Sequence, residues 1–268
     1  MLFKTHSAAC YFVDKSLQDI LYPCRKNTMK ILLTFLLSLG LSFVHAQSKA
    51  EKHLEKARAH FAEMELEPAR KEADKAIAKD PSLAEAYYIR GMSYMFDGPA
   101  LGTEDFEKAI SLDPKMADAW AQRAGNKNWN GDYEGALADY TRAIELDPEN
   151  GGYYFNRAGI YDELERYDLS VRDWNMALVK GWDEFMCLPG RAQAKLGLKD
   201  YKGAMADINK AIGMDSSDPW MLIIRGKIYL GMGDTKKACE DFNTAKINDD
   251  MGLAGEYLDK VISESCGK

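Results

Sequence analysis

A short cluster, Arg followed by Gly or Ala, recurs along this 268-residue chain at an almost constant spacing. The intervals between successive copies are 33, 34, 34 and 34 residues. The copies are Arg90-Gly91, Arg123-Ala124, Arg157-Ala158, Arg191-Ala192 and Arg225-Gly226. Self-similarity at a fixed period of this length indicates a stack of small supersecondary units rather than one globular core. The fold is therefore predicted to consist of similar units stacked in a row, which together present one long surface.

Aromatic and small residues keep fixed places around each cluster. In the clearest unit, residues 117–150, the landmarks are Trp120, Ala124, Gly131, Tyr133, Ala136, Tyr140, Ala143 and the closing pair Asp147-Pro148. This pattern resembles the tetratricopeptide repeat, in which a helix A and a helix B form a hairpin. The resemblance implies an all-α fold, an α-solenoid over residues 47–250 with a C-terminal capping helix and tail at 251–268. About six units are expected, at 50–83, 84–116, 117–150, 151–184, 185–218 and 219–250.

The start of the chain has the features of an export signal and shows no repeat. Met29-Lys30 precedes an apolar run of 14 residues, and Val44-His45-Ala46 supplies the small residues of a cleavage site. Residues 29–46 are therefore predicted to be a signal peptide, with a retained anchor as the alternative, although the run is shorter than the ~20 residues of a membrane span. Residues 1–28 are interpreted in one of two ways: either translation starts at Met29 and not at Met1, or these residues extend the leader. These features predict a periplasmic or secreted protein with no integral membrane segment after cleavage.

The charge balance excludes one class of partner. The chain has a formal charge of −7, and loss of residues 1–46, which hold five basic and two acidic residues, takes it to −10. An acidic chain without a basic face is not expected to bind nucleic acid or an anionic membrane surface.

Each repeat Arg has an Asp at a fixed offset. The separation is 16 residues in the pairs Arg123 and Asp139, Arg157 and Asp173, Arg191 and Asp207, and Arg225 and Asp241. A constant offset favours ion pairs inside the scaffold, from helix A to helix B or from hairpin to hairpin. The functional alternative is a ladder of Arg side chains that binds a ligand.

Three cysteines remain after the leader. Cys239 lies early on the last helix B and Cys266 at the end of the cap helix, so the two thiols can meet if these helices are antiparallel. The chain ending also resembles that of exported tetratricopeptide proteins of the Bacteroidetes type. A disulfide between Cys239 and Cys266 is the favoured interpretation in an oxidising compartment, with two buried free thiols as the alternative. Cys187 is expected to be a small packed residue.

The family resemblance also points to a binding groove. In the family, defined positions of helix A line the concave face, and a Met- and aromatic-lined wall with interleaved amides suits a peptide. Carried over to this chain, the candidate residues are Tyr88, Met92, Met95, Gln122, Asn128, Trp129, Phe155, Asn156, Asp162 and Lys227. The alternative is that several of them pack against the adjacent helix A. An acidic groove would favour neutral or basic partner segments.

Reactive constellations are missing from the sequence. No Cys/His cluster has metal-ligand spacing, and neither a phosphate loop nor a nucleophile elbow occurs. The sequence therefore predicts neither a cofactor nor a metal site, and a non-catalytic protein-binding scaffold. Two alternatives remain, a self-associating structural spacer and an exported enzyme that uses His53, His60, Asp162 and Glu163 in the groove.

Overall fold

The computed structural model describes residues 49–215, 218–249 and 254–267. The predicted leader and signal peptide, residues 1–46, lie outside this part of the chain. The described residues form helices and turns, with no strand among them. The chain divides into two compact units, Met1–Ala86 and Tyr87–Lys268, and each is described by itself.

The first unit contains a helical hairpin. Helix α1 covers residues 49–62 and α2 covers Leu66–Lys79. Their buried side chains are mostly alanines, namely Ala50, Leu54 and Ala57 in α1 and Ala69, Ala73 and Ala76 in α2. Small side chains allow the two helix axes to approach closely.

The second unit contains the remaining helix pairs. Helix α3 covers Ala84–Met92 and so begins at the end of the first unit; a short 3-10 turn, Pro99–Gly102, follows it. The other helices are α4 Thr103–Leu112, α5 Ala117–Trp129, α6 Tyr133–Leu146, α7 Gly151–Glu163, α8 Tyr167–Val179, α9 Glu184–Gly197, α10 Tyr201–Met214, α11 Pro219–Gly231, α12 Thr235–Asn248 and α13 Gly255–Cys266. The all-α repeat solenoid predicted from the period is confirmed.

Local sequence chemistry sets where the helices begin. Asp132, Asp200 and Asp234 each precede a helix B, and their carboxylates accept a hydrogen bond from a backbone N–H in its first turn. Such side-chain caps satisfy amide groups that the helix itself leaves without a partner. The residue before each of these Asp has a positive φ, which is 79° in Gly131, 61° in Lys199 and 81° in Gly233. Glycine adopts this conformation without a steric penalty.

Helix A and helix B of a hairpin meet through small residues. A Cβ atom on Gly226 would lie 2.5 Å from Cε1 of the buried Phe242, and one on Gly91 would lie 2.7 Å from Cε1 of Phe106. Only glycine therefore fits opposite these phenylalanines. The same place in other hairpins holds a buried alanine, for example Ala124.

Successive hairpins also contact each other through their first helices. Within residues 87–267, α5 contacts α7, α7 contacts α9, and α9 contacts α11. We therefore take the first helices as the inner side of this stack. The cap helix α13 packs on α12 and covers Leu222 and Ile223 with Leu258. Residues 251–253, at the start of the predicted capping segment 251–268, lie outside the described residues.

Candidate protein-binding surface and its supporting ion pairs

Each repeat Arg forms a two-pronged ion pair with the Asp of its own hairpin. In α5 and α6, Arg123 Nε lies 2.7 Å from Asp139 Oδ2, and Arg123 Nη2 lies 2.8 Å from Asp139 Oδ1. The same arrangement joins Arg90 to Asp105, Arg157 to Asp173, Arg191 to Asp207, and Arg225 to Asp241. Bidentate pairing fixes both distance and orientation. The structure thus places these pairs between helix A and helix B.

A third contact of the Arg side chain joins one hairpin to the one before it. Arg157 Nη1 donates to Thr141 Oγ1 over 2.9 Å, and Arg191 Nη1 donates to Asn175 Oδ1 over 2.7 Å. Arg225 Nη1 reaches Asn209 Oδ1 at 3.4 Å. Thr141, Asn175 and Asn209 are themselves 34 residues apart. The sequence analysis did not predict these contacts between hairpins, although the 34-residue spacing of their acceptors could have indicated them.

The carboxylates of these pairs are buried. Burial by itself would raise the pKa of Asp207, but hydrogen bonds from Arg191 and Lys195 bring it below its usual value. Asp139 likewise accepts from Lys127 at 2.8 Å in addition to Arg123. Because these guanidinium groups hold internal carboxylates, the ion-pair row functions as scaffold in this structure.

A different face of the first helices points to solvent. In α5, Asp118, Gln122, Gly125 and Trp129 follow the i, i+4, i+7, i+11 spacing of one helix face. Trp129 is 74% exposed. Among the described residues, the side chains of Gln122 and Trp129 have no hydrogen-bond partner, and the same holds for the exposed Asn128. We call this surface the open stripe. It consists of Asp118, Gln122, Gly125, Asn128 and Trp129 of α5 and of Asn156, Gly159 and Glu163 of α7.

Two glycines form the floor of the open stripe. A Cβ atom on Gly159 in α7 would meet nothing within 4 Å, and one on Gly125 would meet only Tyr140 Oη, at 3.6 Å. Internal packing therefore does not require glycine at either position, unlike Gly226. The backbone of α5 and α7 is uncovered there.

The structure brings three of the predicted groove residues together. Met92, Met95 and Gln122 line a cavity of about 110 Å³, together with Gly91, Tyr94, Phe106 and Asn126. The ring of Tyr88 lies 6.1 Å from that of Phe106, and its burial raises the pKa of the phenol above its usual value. Met92 of α3, Met95 after that helix and Gln122 of α5 therefore share one cavity, which adjoins the open stripe at Gln122.

Two predicted groove residues of α7 serve the interior instead. The Phe155 ring packs edge-on against Trp174, with 5.1 Å between centroids, and lies 5.5 Å from Trp182. Asp162 accepts a hydrogen bond from Trp174 Nε1 over 2.9 Å, and its burial raises the pKa of the carboxyl group above its usual value. Both side chains are turned toward α8, which corrects the prediction that they line an open groove.

The remaining two predicted groove residues, Asn156 and Lys227, are only partly available to a partner. Asn156 is exposed, although its Nδ2 donates to Gly152 O over 2.8 Å. Lys227 Nζ lies 4.9 Å from the ring centroid of Tyr257 in the cap helix. The end of the stack near α11 is therefore covered by α13, and the open stripe is confined to earlier hairpins.

The cysteines lie where helix order places them. Cys239 and Cys266 have their Cα atoms 5.7 Å apart and their Sγ atoms 2.02 Å apart. Cys187 is buried, and burial raises the pKa of its thiol to about 11.

Each histidine of the enzyme alternative contacts a carboxylate. His53 Nδ1 lies 2.6 Å from Glu72 Oε2, and His60 Nδ1 lies 2.6 Å from Glu65 Oε2, so each His is engaged within its own unit. In the described part of the chain no group of three or more His, Cys, Asp or Glu could hold a metal ion. None of the helices described is long and apolar enough to cross a membrane.

Comparisons with known proteins agree with this architecture. The sequence profiles described as TPR repeat and Tetratricopeptide repeat match residues 130–165 and 190–218. No curated protein matches the chain significantly in sequence. PilF of Pseudomonas aeruginosa superposes with a TM-score of 0.62 at 16% identity, over 75% of this chain and 92% of its own. YrrB, a TPR protein with an unusual peptide-binding site, gives 0.61 at 16% identity, over 70% and 97%.

A third similar structure is PilW, a type IV pilus biogenesis factor. It gives a TM-score of 0.61 at 17% identity, over 69% of this chain and 86% of its own. Stacked two-helix hairpins with matching repeat profiles define a class of α-helical repeat proteins. The two matched repeat ranges and the similar structures support a protein of the tetratricopeptide repeat family.

Proposed function

We propose that this protein is a non-catalytic scaffold that binds a segment of another protein along the open stripe of α5 and α7. The observation that carries the proposal is the set of groups on that stripe without an internal partner. Gln122, Asn128 and Trp129 have none in the described part of the chain, and the backbone at Gly125 and Gly159 is uncovered. Tetratricopeptide repeats generally mediate protein–protein interaction, and YrrB is described as having a peptide-binding site.

The chemistry of the stripe indicates the kind of segment it would hold. The bare glycine floor lets a partner main chain approach the helices closely. The amides of Gln122 and Asn128 can both donate to and accept from that main chain, and Trp129 offers a large apolar surface. The exposed carboxylates Asp118 and Glu163 add negative charge. A neutral or basic extended segment therefore fits best.

Photo-crosslinking from the open stripe tests this proposal. A photoreactive phenylalanine analogue in place of Trp129 does not disturb packing, because the native side chain is largely exposed. We expect it to capture a protein partner in living cells. The same analogue in place of Val179, which is exposed on α8, is the matched control and should not capture that partner. Equal capture from both positions, or none from Trp129, would contradict the proposal.

Export to the periplasm or beyond is the second part of the proposed function. It is supported by the signal-like sequence at residues 29–46 and by the approach of Cys239 to Cys266. A disulfide is expected to persist only in an oxidising compartment. Thiol labelling of the protein extracted from its native cells should modify Cys239 and Cys266 only after reduction. Labelling of both without reduction would contradict export into such a compartment.

A further inference from the structure

The turns between helix A and helix B form a second surface, distinct from the open stripe. Together with the first turn of each helix B, they make one edge of the stack in residues 87–267, which we call the turn edge. Large apolar side chains are exposed along it. Phe96 is 75% exposed, Leu198 49% and Met232 55%.

The charge of the turn edge changes sign along the stack. The hairpins α5/α6 and α7/α8 present exposed carboxylates, namely Asp132, Glu134, Glu165 and Asp168. The one basic residue in those two turns, Arg166, is paired with Glu134. The hairpins α9/α10 and α11/α12 present four exposed lysines against two capping carboxylates, Asp200 and Asp234. The lysines are Lys199, Lys202, Lys236 and Lys237, of which Lys237 lies 2.8 Å from Asp234 Oδ2. The edge therefore has an acidic half and a basic half.

The lysines of the basic half oppose the helix dipole. The first turns of α6 and α8 contain Glu134 and Asp168, which favour the positive end of a helix. The equivalent second positions of α10 and α12 are Lys202 and Lys236, and neither first turn has an acidic residue. A cation at this position destabilises its helix. The helix dipole therefore does not account for these lysines.

The basic half also contains an open pocket of about 870 Å³. Lys199, Tyr201, Lys202, Met205 and Met232 are among its lining residues. Asp200 also lines it, so its rim holds two lysines and one carboxylate. Carboxylates of the opposite charge occur on this same chain, at the acidic half of the turn edge.

We propose that the turn edge is a self-association surface, on which the acidic half of one copy pairs with the basic half of a second copy. Both halves lie on one edge, so two copies in antiparallel orientation form each acidic–basic contact twice. A contact repeated by a two-fold axis closes into a dimer and does not grow into a fibre. Opposite charges bring the copies together, and Phe96, Leu198 and Met232 supply apolar contact. The open stripe remains free in such a dimer.

Sedimentation velocity on the purified protein tests the proposal. The wild type should be dimeric at about 50 mM salt and dissociate at about 500 mM, because salt screens exposed charges. The double variant Lys202→Glu, Lys236→Glu should be monomeric at both salt concentrations. It should melt no lower than the wild type, since both substitutions complement the helix dipole. The control variant Lys108→Glu, Lys260→Glu makes the same change in net charge on exposed residues of α4 and α13, away from the edge, and should remain dimeric.

A mixing experiment completes the test. The variant Glu165→Lys, Asp168→Lys should also be monomeric alone, and Lys is acceptable at these positions because Lys199, with a similar positive φ, and Lys202 stand at the equivalent places of the next hairpin. Equal amounts of this variant and Lys202→Glu, Lys236→Glu should form a mixed dimer. A monomeric wild type at low salt would overturn the proposal. So would loss of the dimer in the control variant, or two charge-reversed proteins that stay apart on mixing.

Discussion

Two faces of the same first helices behave in opposite ways. On the face turned to helix B, every repeat Arg is held by a buried Asp, and three of them also reach the preceding hairpin. On the open stripe, amides lack internal partners and two glycines leave backbone uncovered. The first face repeats almost without variation from unit to unit, whereas the second differs in each unit. Invariant positions therefore build the stack, and the variable positions are those left for a partner.

Removal of a buried carboxylate should give the largest effect. Asp139→Ala leaves Arg123 and Lys127 without their shared partner in a buried site. We expect the free energy of unfolding to fall by about 3 kcal/mol, since breaking a buried pair costs ~3–5 kcal/mol and Arg123 keeps some solvent access. Urea denaturation followed by circular dichroism measures it. Glu163→Ala on the open stripe, the control, should change stability by less than about 0.5 kcal/mol. Similar losses in both would remove the distinction between the faces.

A methyl group added between the helices should give an intermediate effect. Gly226→Ala forces its Cβ against Phe242, which is fully buried. Overpacking of this kind costs ~1–3 kcal/mol, and we expect a loss near the middle of that range in the same denaturation experiment. Unchanged stability would show that the hairpin is more loosely packed than the structure indicates.

The same substitution on the open stripe should have the opposite sign. Gly159→Ala adds a methyl group into open space, Gly125→Ala adds one at ordinary contact distance from Tyr140 Oη, and both improve helix propensity. Each should raise the free energy of unfolding by about 0.5–1 kcal/mol. Thermal melts of the two variants beside Gly226→Ala check this directly. A destabilised Gly159→Ala would mean that the stripe is filled by the chain itself.

Substitution of Asp162 should give the smallest change in stability, and this change should depend on pH. Its pKa is raised by burial, so the native state favours the protonated form and the ionised form weakens the fold. Asp162→Asn keeps the acceptor for Trp174 Nε1 without the charge and should therefore be slightly more stable than the wild type at pH 7. The difference should shrink as pH falls through the raised pKa. A gain that grows on acidification would contradict this assignment.

Much of the scaffold follows from sequence because its signals are periodic. The 34-residue recurrence of Arg-Gly/Ala predicts the hairpins, and the constant offset to Asp predicts pairs such as Arg157 with Asp173. Sequence spacing could not show which groove residues stay open. Phe155 and Asp162 occupy stripe-side positions of helix A, yet Trp174 and Trp182 draw them toward the interior. The cover over Lys227 likewise depends on the position of α13, which no repeat pattern specifies.

Blocking the floor of the open stripe tests the central claim most directly. Gly159→Gln places a long side chain where the structure has open space, so the fold should be retained while the path of a bound segment is obstructed. Gly213→Gln makes the same change at an equally open glycine of α10. With the partner captured from Trp129, titration calorimetry should show affinity at least about tenfold weaker for Gly159→Gln and unchanged for Gly213→Gln. Equal affinity of both variants and the wild type would contradict the account.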